Sequence, residues 1–200
     1  MKKAFELIRE VKASVISTVK DGAPHSRIID IMDYDEGGVY FITMTSKPFY
    51  RQLMETKKVA ITVMDKNYVQ ARIVGDVKVV DHEKVMDIFD KNPAMKELFP
   101  GEEKVFTPFY VYKGKGELFD LSGRERKMIR ERFAFGGETV NQAGCSITDK
   151  CIECGICKKE CPFDAIEEGT PYKIDSSYCD ECGICYNACP VKSIELPKGL

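Results

Sequence analysis

The chain has 200 residues, of which 44% are apolar and 31% are charged, and its formal net charge is −2 at pH 7. This composition is typical of a globular protein with a substantial core, and a chain of this length forms one or two compact domains. The small negative charge argues against a nucleic-acid interface, which needs a basic excess or a basic stripe. The longest apolar runs, Val39 to Ile42 and Phe109 to Tyr112, are far below the roughly 20 residues that span a bilayer. The N-terminus also lacks the continuous apolar stretch of a secretory signal, so we expect a cytoplasmic protein that binds neither nucleic acid nor a membrane.

Hydrophobic periodicity at the start of the chain predicts a β-rich domain. Apolar residues at helical spacing predict an opening helix over residues 2–12. Segments that alternate or are rich in β-branched residues then predict six strands, at residues 14–20, 24–34, 39–45, 59–65, 68–80 and 107–121, with a helix over 81–92 before the last of them. Six antiparallel strands with helices at the edges indicate a small barrel.

The segment TMTSKP at residues 43–48 lies where the third strand passes into a helix. Its strand ends in hydroxyl groups and a lysine, and Pro48 stands where the first helical residue is expected. Free backbone N–H groups, hydroxyls and a cation at a helix N-terminus form a site for phosphate. The simpler alternative is that Ser46 only caps the helix.

A basic segment follows the predicted barrel. Ser122 to Glu125 has the pattern of a capping box, which predicts a helix through Phe133. Five basic residues, Arg124, Arg126, Lys127, Arg130 and Arg132, stand against the two acidic residues Glu125 and Glu131. Such a run is usually a solvated face, but it is also suited to dock near the phosphate site or on the C-terminal segment, where ten acidic residues outnumber six lysines. We assign residues 1–121 to the barrel, 122–144 to a helical connector and 145–200 to a second domain.

The second domain contains all nine cysteines of the chain, and in a chain expected to be cytoplasmic they favour metal ligation over disulfides. Two segments, one starting at Cys151 and one at Cys179, share the spacing C-x2-C-x2-C-x3-C-P. In this spacing three thiolates on a tight loop hold one cubane cluster, and the fourth cysteine ligates the other cluster. We therefore predict two [4Fe–4S] clusters: cluster site one holds Cys151, Cys154, Cys157 and Cys189, and cluster site two holds Cys179, Cys182, Cys185 and Cys161.

The residues around these cysteines refine the prediction. Gly155 and Gly183 follow the second cysteine of each repeat and allow the backbone to turn closely, while the proline after each fourth cysteine is expected to start a short helix. Short strands are expected to pair at Ile147 and Ile174. Structural zinc is the alternative, although zinc sites usually separate their two CxxC pairs by a longer gap. Cys145 fits neither repeat, and we expect it to be a buried free thiol rather than a ligand.

The two repeats resemble the bacterial-type ferredoxins that carry two [4Fe–4S] clusters, and both motifs are intact over about 50 residues. The resemblance implies one-electron transfer at low potential.

The first domain resembles the FMN-binding split barrels that are similar to pyridoxamine 5′-phosphate oxidase. The opening helix, the Asp21-Gly22 hairpin, the strand around Arg27 and the run YFITMTSKPFYRQL stand in that family's order and spacing. The resemblance implies an α+β, mainly β fold: an antiparallel FMN-binding split β-barrel with peripheral helices, followed by a small C-terminal ferredoxin-like α+β domain. By position it assigns FMN contacts to Arg27, Ile28, Thr43, Thr45, Ser46, Lys47, Gln52 and Gln70, with Arg27 and Lys47 on the phosphate and Ile28 on the ring.

Two further expectations come from the same resemblance. Members of the family are commonly homodimers with FMN between the subunits, so we expect a homodimer here. The segment FYVYKGKGELFDLSGRER departs from the oxidase's substrate-binding end, because it lacks a tryptophan and has Phe119 at roughly that place. Pyridoxine oxidation is therefore not expected.

Together these features favour an iron–sulfur flavoprotein oxidoreductase similar to flavin or nitro reductases. Electrons would pass from a soluble donor protein through the clusters to FMN and then to a small acceptor, because flavin exchanges electrons singly or in pairs whereas clusters move one at a time. Such clusters suit an anaerobic or microaerobic cell. The alternatives are a non-enzymatic electron carrier or redox sensor, and a barrel without flavin that serves as a docking scaffold. No catalytic residue is assigned, and His25 is only a weak candidate for a flavin contact.

Overall fold

A computed structural model of the chain describes residues 1–122, 129–140 and 144–197. Its helices are α1 (Lys2–Val11), α2 (Pro48–Thr56), α3 (Glu83–Lys91), α4 (Pro93–Leu98), α5 (Ile156–Glu160) and α6 (Ile184–Ala188). Its strands are β1 (Ala13–Lys20), β2 (Ala23–Asp30), β3 (Asp33–Asp35), β4 (Gly38–Met44), β5 (Lys58–Met64), β6 (Val69–Val79), β7 (Phe106–Asp120), β8 (Arg130–Phe135), β9 (Ser146–Ile147), β10 (Ile166–Glu167), β11 (Lys173–Ile174) and β12 (Ile194–Glu195). Among these described residues, no helix is long and apolar enough to cross a membrane.

The first eight strands form one antiparallel sheet in the order β2-β1-β5-β6-β7-β4-β3, with β8 also paired to β7. Strand β7 organises the sheet because it pairs with β6 along one side, while its other side pairs first with β4 and then with β8. The fold class expected from the sequence, a mainly β split barrel with peripheral helices and a small C-terminal α+β domain, is confirmed.

Apolar side chains of the helices pack against both faces of the sheet. Helices α1 and α2 pack on one face, where Phe5, Phe41 and Leu53 are almost completely buried. Helix α3 packs on the other face through Ile88 and Phe89, beside Ile42 of β4. Helix α2 therefore lies beside the strands that carry Arg27 and Thr43, two of the predicted FMN contacts.

The six predicted strands are all present, with bounds that differ by one residue or a few. Residues 24–34 form two strands, β2 and β3, rather than one. The break occurs because the N–H of Ile31 bonds to Lys12 O (3.2 Å) and the N–H of Met32 bonds to Tyr40 O (2.8 Å), outside the β1–β2 ladder.

The predicted connector helix is wrong over residues 130–133, which belong to strand β8. In β8 the side chains alternate between two faces, and Phe133 and Phe135 pack edge-on against Phe5 with ring centroids 5.9 and 5.3 Å apart. Their burial in the barrel core overrides the local helical signal. Arg124, Arg126 and Lys127 of the predicted helix lie outside the described residues.

The C-terminal module repeats one unit, a cysteine loop followed by a short helix and a strand. Ile147 pairs with Ile194 and Ile174 pairs with Ile166, so the two predicted strands do not pair with each other. The prediction that the prolines start helices is also wrong: α5 and α6 begin just after Gly155 and Gly183 and end before the fourth cysteine of each repeat. Each proline instead comes directly after the end of a helix, a common position because proline cannot continue a helix.

Candidate functional site

The eight cysteines of the two repeats line two separate cavities. One cavity is lined by Cys151, Cys154, Cys157 and Cys189, and the other by Cys161, Cys179, Cys182, Cys185 and also Cys145. In both cavities the fourth thiol comes from the other repeat, which is the crossed arrangement that ties two cubane clusters into one folded unit. The structure therefore brings together the thiols assigned to each cluster site.

The backbone around each cavity turns tightly and directs N–H groups at cysteine sulfur atoms. Gly155 and Gly183 have φ angles of 72° and 75°, the left-handed region that side chains disfavour. The N–H groups of Glu153 and Glu181 donate to the first cysteine sulfur of their repeats at 3.4 and 3.3 Å. Such N–H···S bonds favour the charged thiolate and help to set the reduction potential of a cluster.

Burial raises the pKa of some of the thiols that line these cavities when iron is absent. It raises the pKa of Cys157 and Cys179, and it raises that of Cys185 to about 11. Cys189 differs: burial opposes its ionisation, but hydrogen bonds from the Ser193 side chain and N–H bring the pKa below its usual value. Because metal ligation needs thiolates, assembly of the clusters must release protons.

Cys145 lies in cluster site two. It is 3% exposed, and burial followed by the charge of Cys179 raises its pKa to about 12. The expected burial of this thiol agrees with the structure, while its role as a non-ligand stays a prediction.

Arg27 is the centre of a polar cluster between β2 and α2. Its guanidinium donates to Thr18 Oγ1 (2.9 Å) and Gln52 Oε1 (2.7 Å), and Thr18 donates to the same Gln52 oxygen at 2.6 Å. The guanidinium also lies 4.4 Å from the ring centroid of Phe49. Thr18 was not selected from the sequence because a threonine in a strand is common, and only the fold shows that it is buried beside Arg27.

Thr43, Thr45, Ser46 and Lys47 lie at the start of α2, as the sequence predicted. The N-cap residue is Lys47, and no side chain caps the helix, so the alternative in which Ser46 is only an N-cap is not supported. Residues 45–47 are exposed. Thr43 is 2% exposed, and its hydroxyl has no hydrogen-bond partner among the residues that the structure describes.

Ile28 and Gln70 lie apart from this cluster. Ile28 is 61% exposed and pairs with Val15 across β1–β2. Gln70 pairs with Met64 and Phe119, on a strand separated from β2 by β1 and β5. Within a single chain, Arg27 and Gln52 are therefore in contact, whereas Gln70 lies away from both. His25 is exposed at the register position opposite Thr18.

The groups around each cavity and around Arg27 suit the cofactors that the sequence predicts. Four thiols around each cavity fit a cubane cluster. For FMN, no carboxylate within residues 1–122, 129–140 and 144–197 pairs with Arg27, and burial lowers its pKa, so an anion would compensate its charge. The buried hydroxyl of Thr43 is a further group that lacks a partner and would gain one from a bound ligand.

A buried ionic network joins the barrel to the cysteine module. Arg130 and Arg132 of β8 are 8% and 4% exposed, and both contact Glu117 of β7 and Glu181 of the second cysteine loop. The Arg130 side chain also donates to the carbonyl oxygens of Cys179 (3.2 Å) and Asp180 (3.3 Å). Docking of this basic run on the C-terminal segment was the alternative offered by the sequence, and Arg130 and Arg132 do contact that segment; their burial on a strand was not predicted, because a basic run usually faces solvent.

Comparison with known proteins agrees with this architecture. Residues 1–118 match the family described as pyridoxamine 5′-phosphate oxidase. The chain belongs to that family. In this family member, residues 150–194 also match a 4Fe-4S dicluster domain, and residues 117–165 match a second family described in the same words. The dicluster match favours iron–sulfur clusters over the zinc alternative.

Individual relatives cover one part of the chain or the other. Ferredoxins from Butyribacterium methylotrophicum and Thermoanaerobacterium thermosaccharolyticum are 55% and 58% identical over 31 residues, which is 16% and 15% of this chain. The matched region spans 56% of the length of each ferredoxin.

Among solved structures, a NimC/NimA family protein from Clostridium acetobutylicum has a TM-score of 0.59 and 24% identity, covering 68% of this chain and 92% of that one. A protein from the same organism, related to general stress protein 26 and placed in the pyridoxine phosphate oxidase family, has a TM-score of 0.53 and 15% identity, covering 66% and 92%. At these identities the likeness shows the fold alone.

Proposed function

We propose that this protein is an iron–sulfur flavoprotein oxidoreductase that passes electrons between a redox partner, two [4Fe–4S] clusters and FMN, and reduces a small acceptor. The observation that carries the proposal is the buried attachment of a module with two four-thiol cavities to a barrel of the pyridoxamine 5′-phosphate oxidase family. Clusters supply one-electron transfer, and FMN supplies one- or two-electron chemistry. The combination suits conversion between single electrons and electron pairs.

The flavin site that we propose is built around Arg27. A half-buried guanidinium without a carboxylate partner in the described part of the chain would bind the FMN phosphate, and Lys47 adds a second cation at the start of α2. The hydroxyl of Thr43 lacks a partner and would bond to the cofactor. The remaining proposed contacts are Ile28, Thr45, Ser46, Gln52 and Gln70.

We propose a homodimer because the outer face of the sheet is apolar and exposed. Val15, Ile28 and Val74 are 40%, 61% and 55% exposed, and the β1–β2 and β1–β5–β6 registers place them on the same face. Gln70 lies on this face as well. In a dimer, the Gln70 side chain of one subunit would be free to complete the flavin site of its partner, which explains why one chain does not bring it to Arg27.

Turnover separates an enzyme from an electron carrier. Anaerobic, fully loaded protein would be supplied with a chemical reductant and tested with nitro compounds, flavins and quinones as acceptors. We expect steady reduction of at least one acceptor over many equivalents per chain. With an electron carrier or redox sensor, reduction of every acceptor would stop once the electrons held by the fully reduced protein had been transferred. That result would contradict the oxidoreductase.

A further inference from the structure

The two cysteine repeats are equivalent in sequence but not in their surroundings. The loop of the second repeat lies on β8, where Ile129 and Arg130 donate their N–H groups to Ser177 O at 2.8 and 3.0 Å. In that loop Glu181 contacts the two arginines of β8. Its counterpart in the first repeat, Glu153, is exposed, and no arginine among the described residues pairs with it. Cluster site one, which lacks these arginine contacts among the described residues, therefore serves as an internal reference for cluster site two.

We propose that Arg130 and Arg132 are positioning residues that fix cluster site two on the barrel and raise its reduction potential. Arg130 contacts the backbone of the ligand loop, because it donates to the carbonyl oxygens of Cys179 and Asp180. Cluster site two is then the cluster on the barrel side, and cluster site one is left to accept electrons from an external donor. This inference rests on the two-cluster electron-transfer function proposed above.

Electrostatics gives the sign of the effect. A cluster becomes more negative when it is reduced, so a nearby cation stabilises the reduced form and raises the potential. The network contains the cations Arg72, Arg130 and Arg132, of which the last two are buried, and they pair with the carboxylates of Glu117 and Glu181. The charge of Arg130 also acts on the nearby carboxylate of Asp180. Removing the charge of Arg130 leaves these carboxylates in excess beside cluster site two, which lowers its potential. Cluster site one has no such network among the described residues.

Contacts continue from this network toward the exposed sheet face on which the dimer is proposed. The Arg130 guanidinium lies 4.8 Å from the ring centroid of Phe119, and Phe119 pairs with Gln70 on β6. Gln70 borders the exposed face that carries Ile28. Cluster site two is thus attached to the same sheet face on which the dimer is proposed.

The test is an anaerobic redox titration of the full-length protein, followed by EPR and by the hyperfine-shifted NMR signals of the cysteine β-protons. The variant Arg130→Gln removes the cation and Arg130→Lys keeps the charge but loses the fork of donors. Lys113→Gln is the control, because Lys113 is an exposed cation on β7 that pairs with Glu138. Iron content and a thermal melt of each variant show that it is folded and loaded.

We expect Arg130→Gln to lower one of the two cluster potentials, with the shifted NMR signals belonging to the four ligands of cluster site two, Cys161, Cys179, Cys182 and Cys185. Arg130→Lys should shift the same potential less, and Lys113→Gln should shift neither. If Arg130→Gln does not fold, Arg132→Lys and Glu181→Gln make the same test with smaller changes. Arg132→Lys is expected to lower the potential of cluster site two, and Glu181→Gln is expected to raise it. Equal shifts of both potentials, or none, in loaded variants would overturn the inference, whereas a wild-type protein without two clusters would overturn the proposed function itself.

Discussion

Arg27 is the residue on which the flavin proposal depends most directly. Its guanidinium is held by Thr18 and Gln52 and compensated by no carboxylate among the described residues. Replacing it with glutamine removes a charge-assisted contact to phosphate worth about 1.5–3 kcal/mol. We therefore predict that Arg27→Gln weakens FMN binding roughly ten- to a hundredfold, measured by fluorescence titration of the flavin-free protein.

Riboflavin provides the control for this prediction, because it lacks the phosphate. Its affinity should change little in Arg27→Gln, and Lys20→Gln, which alters an exposed cation at the end of β1, should leave both affinities unchanged. An equal loss for FMN and riboflavin would show that Arg27 does not bind the phosphate.

Asp33 gives a prediction about pH. It accepts hydrogen bonds from Lys84 (2.6 Å) and Lys91 (2.9 Å), which tie β3 to α3. Burial opposes its ionisation, but the hydrogen bonds from Lys84 and Lys91 hold its pKa below the ordinary value. Its ion-pair stabilisation is therefore present above the unfolded-state pKa of about 3.9 and is lost as the pH falls through the lower folded-state pKa.

We predict that Asp33→Asn lowers the free energy of unfolding by about 2 kcal/mol at pH 7. The difference from wild type should shrink below about pH 4, as followed by urea denaturation over a pH series. Asp90→Asn is the matched control, because Asp90 lies on the exposed side of α3 and pairs with the exposed Lys96 of α4. It should change the unfolding free energy by less than about 1 kcal/mol. A difference for Asp33→Asn that does not depend on pH would contradict this account.

Strand β8 is the element that connects the two halves of the molecule. One of its faces fills the barrel core with Phe133 and Phe135, and the other presents Arg130 and Arg132 to the cysteine module. Phe133 is 6% exposed. We predict that Phe133→Ala lowers the free energy of unfolding of the barrel by about 3–5 kcal/mol, because it leaves a cavity against Phe5.

Denaturant unfolding of the purified protein, followed by far-UV circular dichroism, measures this change. Leu98→Ala removes an apolar side chain that is 70% exposed and should cost less than about 0.5 kcal/mol. A cost for Phe133→Ala as small as that of the control would mean that β8 is not part of the barrel core.

Much of the molecule could be predicted from the sequence, because the deciding signals are local. Alternation of apolar and polar residues predicts the six barrel strands, and the cysteine spacing alone groups the eight thiols into the two sets that line the cavities. Strand β8 could not be predicted, because its arginines are buried only by contact with a loop about fifty residues later in the chain. For the same reason the cluster of Thr18, Arg27 and Gln52 becomes visible only when α2 packs across β1 and β2.

At the scale of the whole molecule, the exposed sheet face predicts self-association. Val15, Ile28 and Val74 form an apolar surface of the kind that marks a protein interface. We predict that Ile28→Asp shifts the protein from dimer toward monomer, by at least tenfold in dissociation constant, as measured by sedimentation equilibrium. Leu98→Asp places the same charge on α4, away from this face, and should leave association unchanged. A wild-type monomer at micromolar concentration would contradict the dimer.

The central claim is that one chain carries two clusters and a flavin, and their stoichiometry tests it most directly. Full-length protein would be purified anaerobically, analysed for iron and flavin, and titrated with dithionite while optical and EPR spectra are recorded. We predict about eight irons per chain from two [4Fe–4S] clusters, about one FMN, and uptake of about four electrons, one for each cluster and two for the flavin. About four irons or fewer, or eight irons with no flavin after supplementation with FMN, would contradict the account.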